Sequence, residues 1–230
     1  MRSTGLFLSL ALLAVGCNTS KTGANGNIRF TPADCGLVSG CDFDDSVGVG
    51  GIITVQIAGI DAFSTAGVTL DSDDPNVLSI DPIGDVAGKP AWAAVGQSAG
   101  VARIVAYDPN DVEVDFVEVG VQELSGLGLD NFVGDAVGPS SDATYDEIWQ
   151  VNADTNTSFY VLPLIGDSVP TMGRYTYTAT IDSVLNDGQV ASSDPANGYL
   201  YFNVPAGDYP VTFESDYDSS IYIDVLIQAQ

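Results

Sequence analysis

Short runs of alternating apolar and polar residues, separated by turn-forming clusters, fill the chain from about residue 45 onward. In GIITVQIAG, Ile53, Val55 and Ile57 share one face and Thr54 and Gln56 the other. VTL at 68–70 and VLSI at 77–80 flank DSDDPN, a turn signal, and AWAAV at 91–95 is separated from VARIVAY at 101–107 by GQSAG. A DPND turn then leads into VEVDFVEVGVQ, where Val112, Val114 and Phe116 alternate with Glu113 and Asp115. The phase slips at Phe116–Val117, after which Val117, Val119 and Val121 set the face. A slip of one residue is what a β-bulge produces.

The stretch 124–144, with four Gly, one Pro and poor alternation, places a boundary near Glu123. Strand runs resume as TSFYVLPL, GRYTYTATID, GYLYFNV, DYPVTFES and IYIDVLIQ, with breakers between them. No stretch in 45–123 shows a 3.6-residue apolar period. The expected fold is therefore all-β: two antiparallel β-sandwiches in tandem, 31–123 and 124–230.

The amino terminus reads differently. Residues 1–16 put Arg2 before an apolar run from Leu6 to Val15, too short to span a bilayer and matching the core of a secretory signal. LLAVGC resembles the lipobox of bacterial lipoproteins, apart from Ala14, where that family most often has Leu. The resemblance implies lipid on Cys17, cleavage before it and a membrane-anchored exported chain. Asn18 is not the Asp that the family links to inner-membrane retention, so an outer-membrane or cell-surface destination is implied. The alternative is an ordinary secretory signal cut near the same place. Residues 17–30 are small and polar and read as a flexible tether. Cys35 and Cys41 remain as an even pair in an exported chain, which predicts a disulfide closing CGLVSGC.

Residues 45–123 carry a further resemblance. VGVGGIITVQI, SDDPNVLSID, AAVGQSAGVARIVAYD and the valine-rich last strand are similar to bacterial Ig-like repeats of the intimin and BIG2 type. PAGDYPVTF looks like a hairpin common in bacterial surface β-sandwich modules. The resemblance implies Ig-like folds used for surface display, adhesion or spacing, without catalytic residues. The implied partners are an extracellular protein or a polysaccharide.

Composition narrows the chemistry. The 230 residues carry 31 acids, of which 26 are Asp, against 6 Lys and Arg, for a net charge of −25. Removal of residues 1–16 takes away Arg2 and no acid, leaving −26. Nucleic acid is disfavoured, because phosphate binding relies on clustered Lys and Arg. The absence of histidine excludes His triads and His-ligated zinc. Asp42, Asp44 and Asp45, and Asp71, Asp73 and Asp74, form two tight clusters. Either set offers hard oxygens to calcium, and either is equally what turns are made of; neither has EF-hand spacing. No motif supports an enzyme, so a hydrolase of unrecognised type ranks last among the readings, and no cofactor is expected beyond that calcium.

Nine of the ten Tyr lie at or after Tyr145, with Trp149. Tyr199 and Tyr201 share a strand face opposite Leu200, Phe202 and Val204, so with Trp149 they are candidates for a sugar-stacking platform. Tyr175 and Tyr177, facing Thr, are expected in the core.

Overall fold

The computed structural model describes residues 19–34, 42–166, 169–170, 173–181, 190–194 and 199–230. Cys17, Cys35 and Cys41 lie outside the described residues. All regular structure among the described residues is β.

In the first half, β1 (Lys21–Thr22), β2 (Ile28–Asp34), β4 (Ile52–Gly59), β7 (Lys89–Gly96) and β6 (Leu78–Val86) form one sheet in the order β1-β2-β4-β7-β6. The facing sheet runs β3-β9-β8-β5, from β3 (Val47–Gly48), β9 (Glu113–Gln122), β8 (Gly100–Tyr107) and β5 (Thr69–Ser72). Their inward residues make one core, with Phe30, Ile53, Leu78, Ile104 and Val119 fully buried.

The second half repeats the plan. One sheet joins β10 (Gly126–Val133), β13 (Thr157–Ile165), β17 (Tyr199–Asn203) and β16 (Val190–Asp194), with β14 (Val169–Pro170) beside β13. The other joins β11 (Ala136–Ser140), β12 (Glu147–Val151), β19 (Tyr222–Ala229), β18 (Gly207–Ser215) and β15 (Tyr177–Ile181). A separate core from Leu124 to Ala229 lies between them, built on Phe159, Leu200, Phe202, Phe213 and Ile227. Leu200, Phe202 and Val204 are buried, as are Tyr175 and Tyr177.

Several features depart from the sequence expectation. Residues 17–30, expected as a flexible tether, hold β1 and the start of β2, and Ile28 and Phe30 are fully buried in the first core, because two apolar side chains among small polar ones are enough to seat an edge hairpin. The sandwiches are not purely antiparallel: β3 runs parallel to β9, and β12 parallel to β19. In each half an early strand reaches the last strand through a long connection, which parallel pairing requires. DSDDPN does not close a hairpin; it arches from β5 in one sheet to β6 in the other. β6 runs on to Val86 and pairs with β7 around a tight turn at Ala87 and Gly88, both at positive φ (52° and 75°). Residues 81–90 are exposed, so no alternation marks this part. The stretch 124–144, without clear alternation, holds β10 and β11, where Leu127 and Leu129 point inward between glycines.

In β9, Val117, Val119 and Val121 face the core as expected. The slip lies earlier than the sequence suggests, because Ala106 pairs with Asp115 and Tyr107 with Glu113, leaving Val114 as the extra residue. Asp115 thereby joins the inward face.

Candidate functional site

Several of the candidate carboxylates are occupied by the protein's own backbone. Asp74 Oδ1 accepts from Asn76 N at 3.1 Å, Asp42 Oδ1 from Asp44 N at 3.2 Å, and Asp71 Oδ1 from Ser72 N at 2.8 Å. Asp44 is ion-paired with Lys21. Asp73 Oδ1 accepts from Arg103 N at 2.6 Å and its Oδ2 from Arg103 Nε at 2.7 Å, while the guanidinium lies 4.8 Å from the Phe116 ring centre. Partial burial raises the Asp73 carboxyl, but the backbone and guanidinium hydrogen bonds from Arg103 outweigh it, and the net direction is below the ordinary range. Asp108, Asp142 and Asp218 are likewise held low, by hydrogen bonds from Val112, Thr144 and Ser220 foremost. Asp45 sits exposed in the loop after Asp42. Among the described residues no three His, Cys, Asp or Glu side chains converge as metal ligands.

The aromatic candidates separate. Tyr201 is 42% exposed and outward, and Tyr199 is the first residue of the same strand. Trp149 lies in the second core, 5% exposed, edge-on to Phe159 at 5.2 Å. Its Nε1 donates to Glu147 Oε2 at 2.7 Å, and Leu129 N donates to Glu147 Oε1 at 3.2 Å, so Glu147 ties β10 to β12. Burial pushes the Glu147 carboxyl up against those two bonds.

Asp115 is a structural carboxylate that the sequence pattern placed on the outward face. It is fully buried and accepts from Asn25 N (2.8 Å), Asn27 N (2.8 Å), Ile28 N (2.7 Å) and Phe116 N (2.9 Å). The β1–β2 turn wraps this anion, and a Cβ on Gly23 would meet its carboxyl at 2.3 Å.

Two features go beyond a pair of cores. The first is a junction between the sandwiches. Gly48 N donates to the buried Tyr175 hydroxyl at 2.6 Å, and Ile52 and Arg174 exchange backbone hydrogen bonds at 2.9 and 2.8 Å. The Tyr217 hydroxyl donates to Gln97 O at 2.9 Å. Gly50, at φ +83°, and Gly51 allow the close approach: a Cβ there would meet the Tyr217 ring at 2.7 Å and the Tyr175 hydroxyl at 2.4 Å.

The second is a cleft of about 440 Å³ in the first sandwich, where the edges of its two sheets part. It is lined by Leu70 and Asp71 of β5, Pro82 of β6, Trp92 of β7, Tyr107 of β8 and Asp111 of the following turn. Both flanking ladders carry register shifts here, between Pro82 and Gly84 and between Ala106 and Tyr107. Asp111 has φ 59°, a left-handed conformation uncommon for a residue other than glycine. The sequence signals a turn at DPND, but Pro82, Trp92 and Tyr107 come from separated runs, and only the sandwich brings them together.

No protein-family model matches the chain, and no curated protein matches it. Among solved structures, domains 5–6 of the S-layer protein SbsC align at TM-score 0.32 and 15% identity, covering 93% of this chain and 99% of that one. The Escherichia coli adhesin FdeC aligns at 0.32 and 13%, over 93% of this chain and 66% of that one. A Bacteroides ovatus mixed-linkage glucan utilisation protein, SGBP-B, aligns at 0.32 and 15%, over 83% and 44%. At these scores the alignments record a loose likeness of fold.

Proposed function

We propose that the chain is an exported, non-enzymatic surface module, anchored by lipid on Cys17, with the folded body beginning at β1, four residues further on. Its folded body would then be two Ig-like β-sandwiches, the first from β1 to about 123 and the second 124–230, working in display, adhesion or spacing toward an extracellular protein or polysaccharide. The observation that carries this reading is the junction. Hydrogen bonds through Tyr175, Arg174 and Tyr217, across a strip of glycines, join two separately cored sandwiches. A body built this way transmits position over a distance, which a tethered display element needs and a lone globular domain does not. The acid excess supports it as a solvating coat, since many carboxylates are exposed and others, such as Asp42, Asp74, Asp108, Asp142 and Asp218, cap turns of the same body.

The test is the anchor. Metabolic labelling with palmitate should mark the wild-type chain and not Cys17→Ala, and the variant should move from the membrane fraction to the soluble exported fraction. A Cys17→Ala chain that stays in the membrane fraction with unchanged mobility would overturn the reading.

A further inference from the structure

We infer that the cleft between β5, β7 and β8 is a binding site for an uncharged saccharide, one hexose ring of a glycan seated against Trp92 and Tyr107. Its volume, about 440 Å³, falls within the range of small-ligand sites, roughly 300–1,000 Å³. The floor is apolar: Leu70 and Trp92 are each only 6% exposed, and Pro82 stands at the rim. The polar groups distinguish this cleft from the rest of the molecule. Trp92 is more than nine-tenths buried, yet its indole N–H donates to no group among the described residues. It is also absent from the sealed polar atoms, of which Thr157 Oγ1 is the example among the described residues, so that N–H reaches solvent. Tyr107, half-buried, likewise has no hydrogen-bond partner among the described residues.

Against these donors stand the carboxylates of Asp71 and Asp111. Asp71 commits one oxygen to Ser72 N and keeps the other. Asp111 accepts from no described residue, unlike its neighbour Asp108, which caps the same turn through Asn110 N and Val112 N.

A ligand for this cleft must donate to two carboxylates, accept from an indole N–H, and lay an apolar face on an aromatic and a proline. Sugar hydroxyls both donate and accept, and the C–H face of a pyranose is apolar. A lysine or arginine side chain would satisfy the carboxylates but has nothing to accept from Trp92. An anionic sugar would place its charge against Asp71 and Asp111. The register shifts on both flanking ladders and the strained Asp111 backbone aim these side chains into one opening, a use to which bulges are commonly put.

This inference adds a ligand chemistry to the surface-module reading, and the two fail separately, because fractionation tests the anchor and titration tests the cleft. The chain has two tryptophans, Trp92 and Trp149, so 5-fluorotryptophan labelling of the full chain in neutral detergent yields two ¹⁹F resonances, assigned with Trp92→Phe. The probes are maltotetraose, cellotetraose, mannotetraose, galactotetraose and chitotetraose, with arginine amide as the cationic comparison. At least one oligosaccharide should shift the Trp92 resonance saturably and leave that of Trp149, buried in the other core, in place. Asp71→Asn and Asp111→Asn, with unchanged circular dichroism, should each weaken that binding about ten-fold, the effect of losing a charge-assisted hydrogen bond. Asn tolerates the left-handed backbone, so Asp111→Asn keeps the turn. Silence across the oligosaccharides, a shift indifferent to both substitutions, or saturation by arginine amide instead would each overturn the inference.

Discussion

Asp115 is the residue whose environment differs most from what its neighbours in sequence suggest. Four backbone amides converge on a carboxylate with no solvent contact, so the anion replaces water for the whole β1–β2 turn. In Asp115→Asn one oxygen becomes an NH₂ that faces amide donors. The expected cost is about 3 kcal/mol, read as a lower urea midpoint together with lost amide protection at Asn25, Asn27 and Ile28. Wild-type stability with intact protection would show that the buried charge is dispensable. Asp73 sets a pH dependence. Its folded pKa is lowered, so its contribution is present above the unfolded value, about 3.9, and is lost as pH falls through the folded value. Asp73→Asn should therefore flatten the acid limb of the stability curve below about pH 4 and leave its slope near neutral pH unchanged. An acid limb as steep as that of wild type would assign it to Asp108, Asp142 and Asp218, whose pKa values move in the same direction.

At the scale of elements, the edges carry the interest. β5 and β6 end different sheets of the first sandwich, and the exposed β6–β7 hairpin extends past the core with Ile83 and Val86 partly bare. An edge that stops pairing and bends away is a normal defence against sheet-to-sheet aggregation, and the shift between Pro82 and Gly84 supplies the bend. The same bend opens the cleft beside Trp92. Gly84, at φ +85° with open space where a Cβ would stand, is held for its backbone and not for close packing. Gly84→Val should disturb the bulge and shift the Trp92 fluorine resonance of the unliganded protein. The Trp149 resonance should stay where it is, and equal movement of both would mean a global change instead.

For the whole molecule, the junction decides how the two sandwiches behave together. Tyr217→Ala combined with Gly51→Ala removes one hydroxyl contact and drives a methyl toward the Tyr175 hydroxyl, 2.4 Å from the added Cβ. Small-angle scattering should then show a broader distance distribution, and protease should cut near 48–52 or 122–125. Each core should stay intact by circular dichroism. A scattering profile identical to wild type would mean that the connection at 122–125 holds the halves without these contacts.

What the sequence determined by itself was the class of architecture and most of the inward faces. A period of two over short, turn-bounded runs leaves few options other than packed sheets, and alternation marks Ile53, Val55, Val119, Val121, Leu200 and Phe202 because each is buried on one face only. The turn chemistry of Asp was also legible, since capping is local: Asp108 and Asp218 bond residues two to four positions away. The tertiary structure decided what depends on distant partners. Asp115 looked outward until the bulge at Val114 turned it in, and the reason for glycine at 50 and 51 exists only where Tyr217 and Tyr175 close on them. Trp92 and Asp111 share a cleft only because β7 and the turn after β8 lie in facing sheets. Local patterning records which face of a strand avoids water, but it holds no information on which strand lies opposite, and sites form between strands that are remote in sequence.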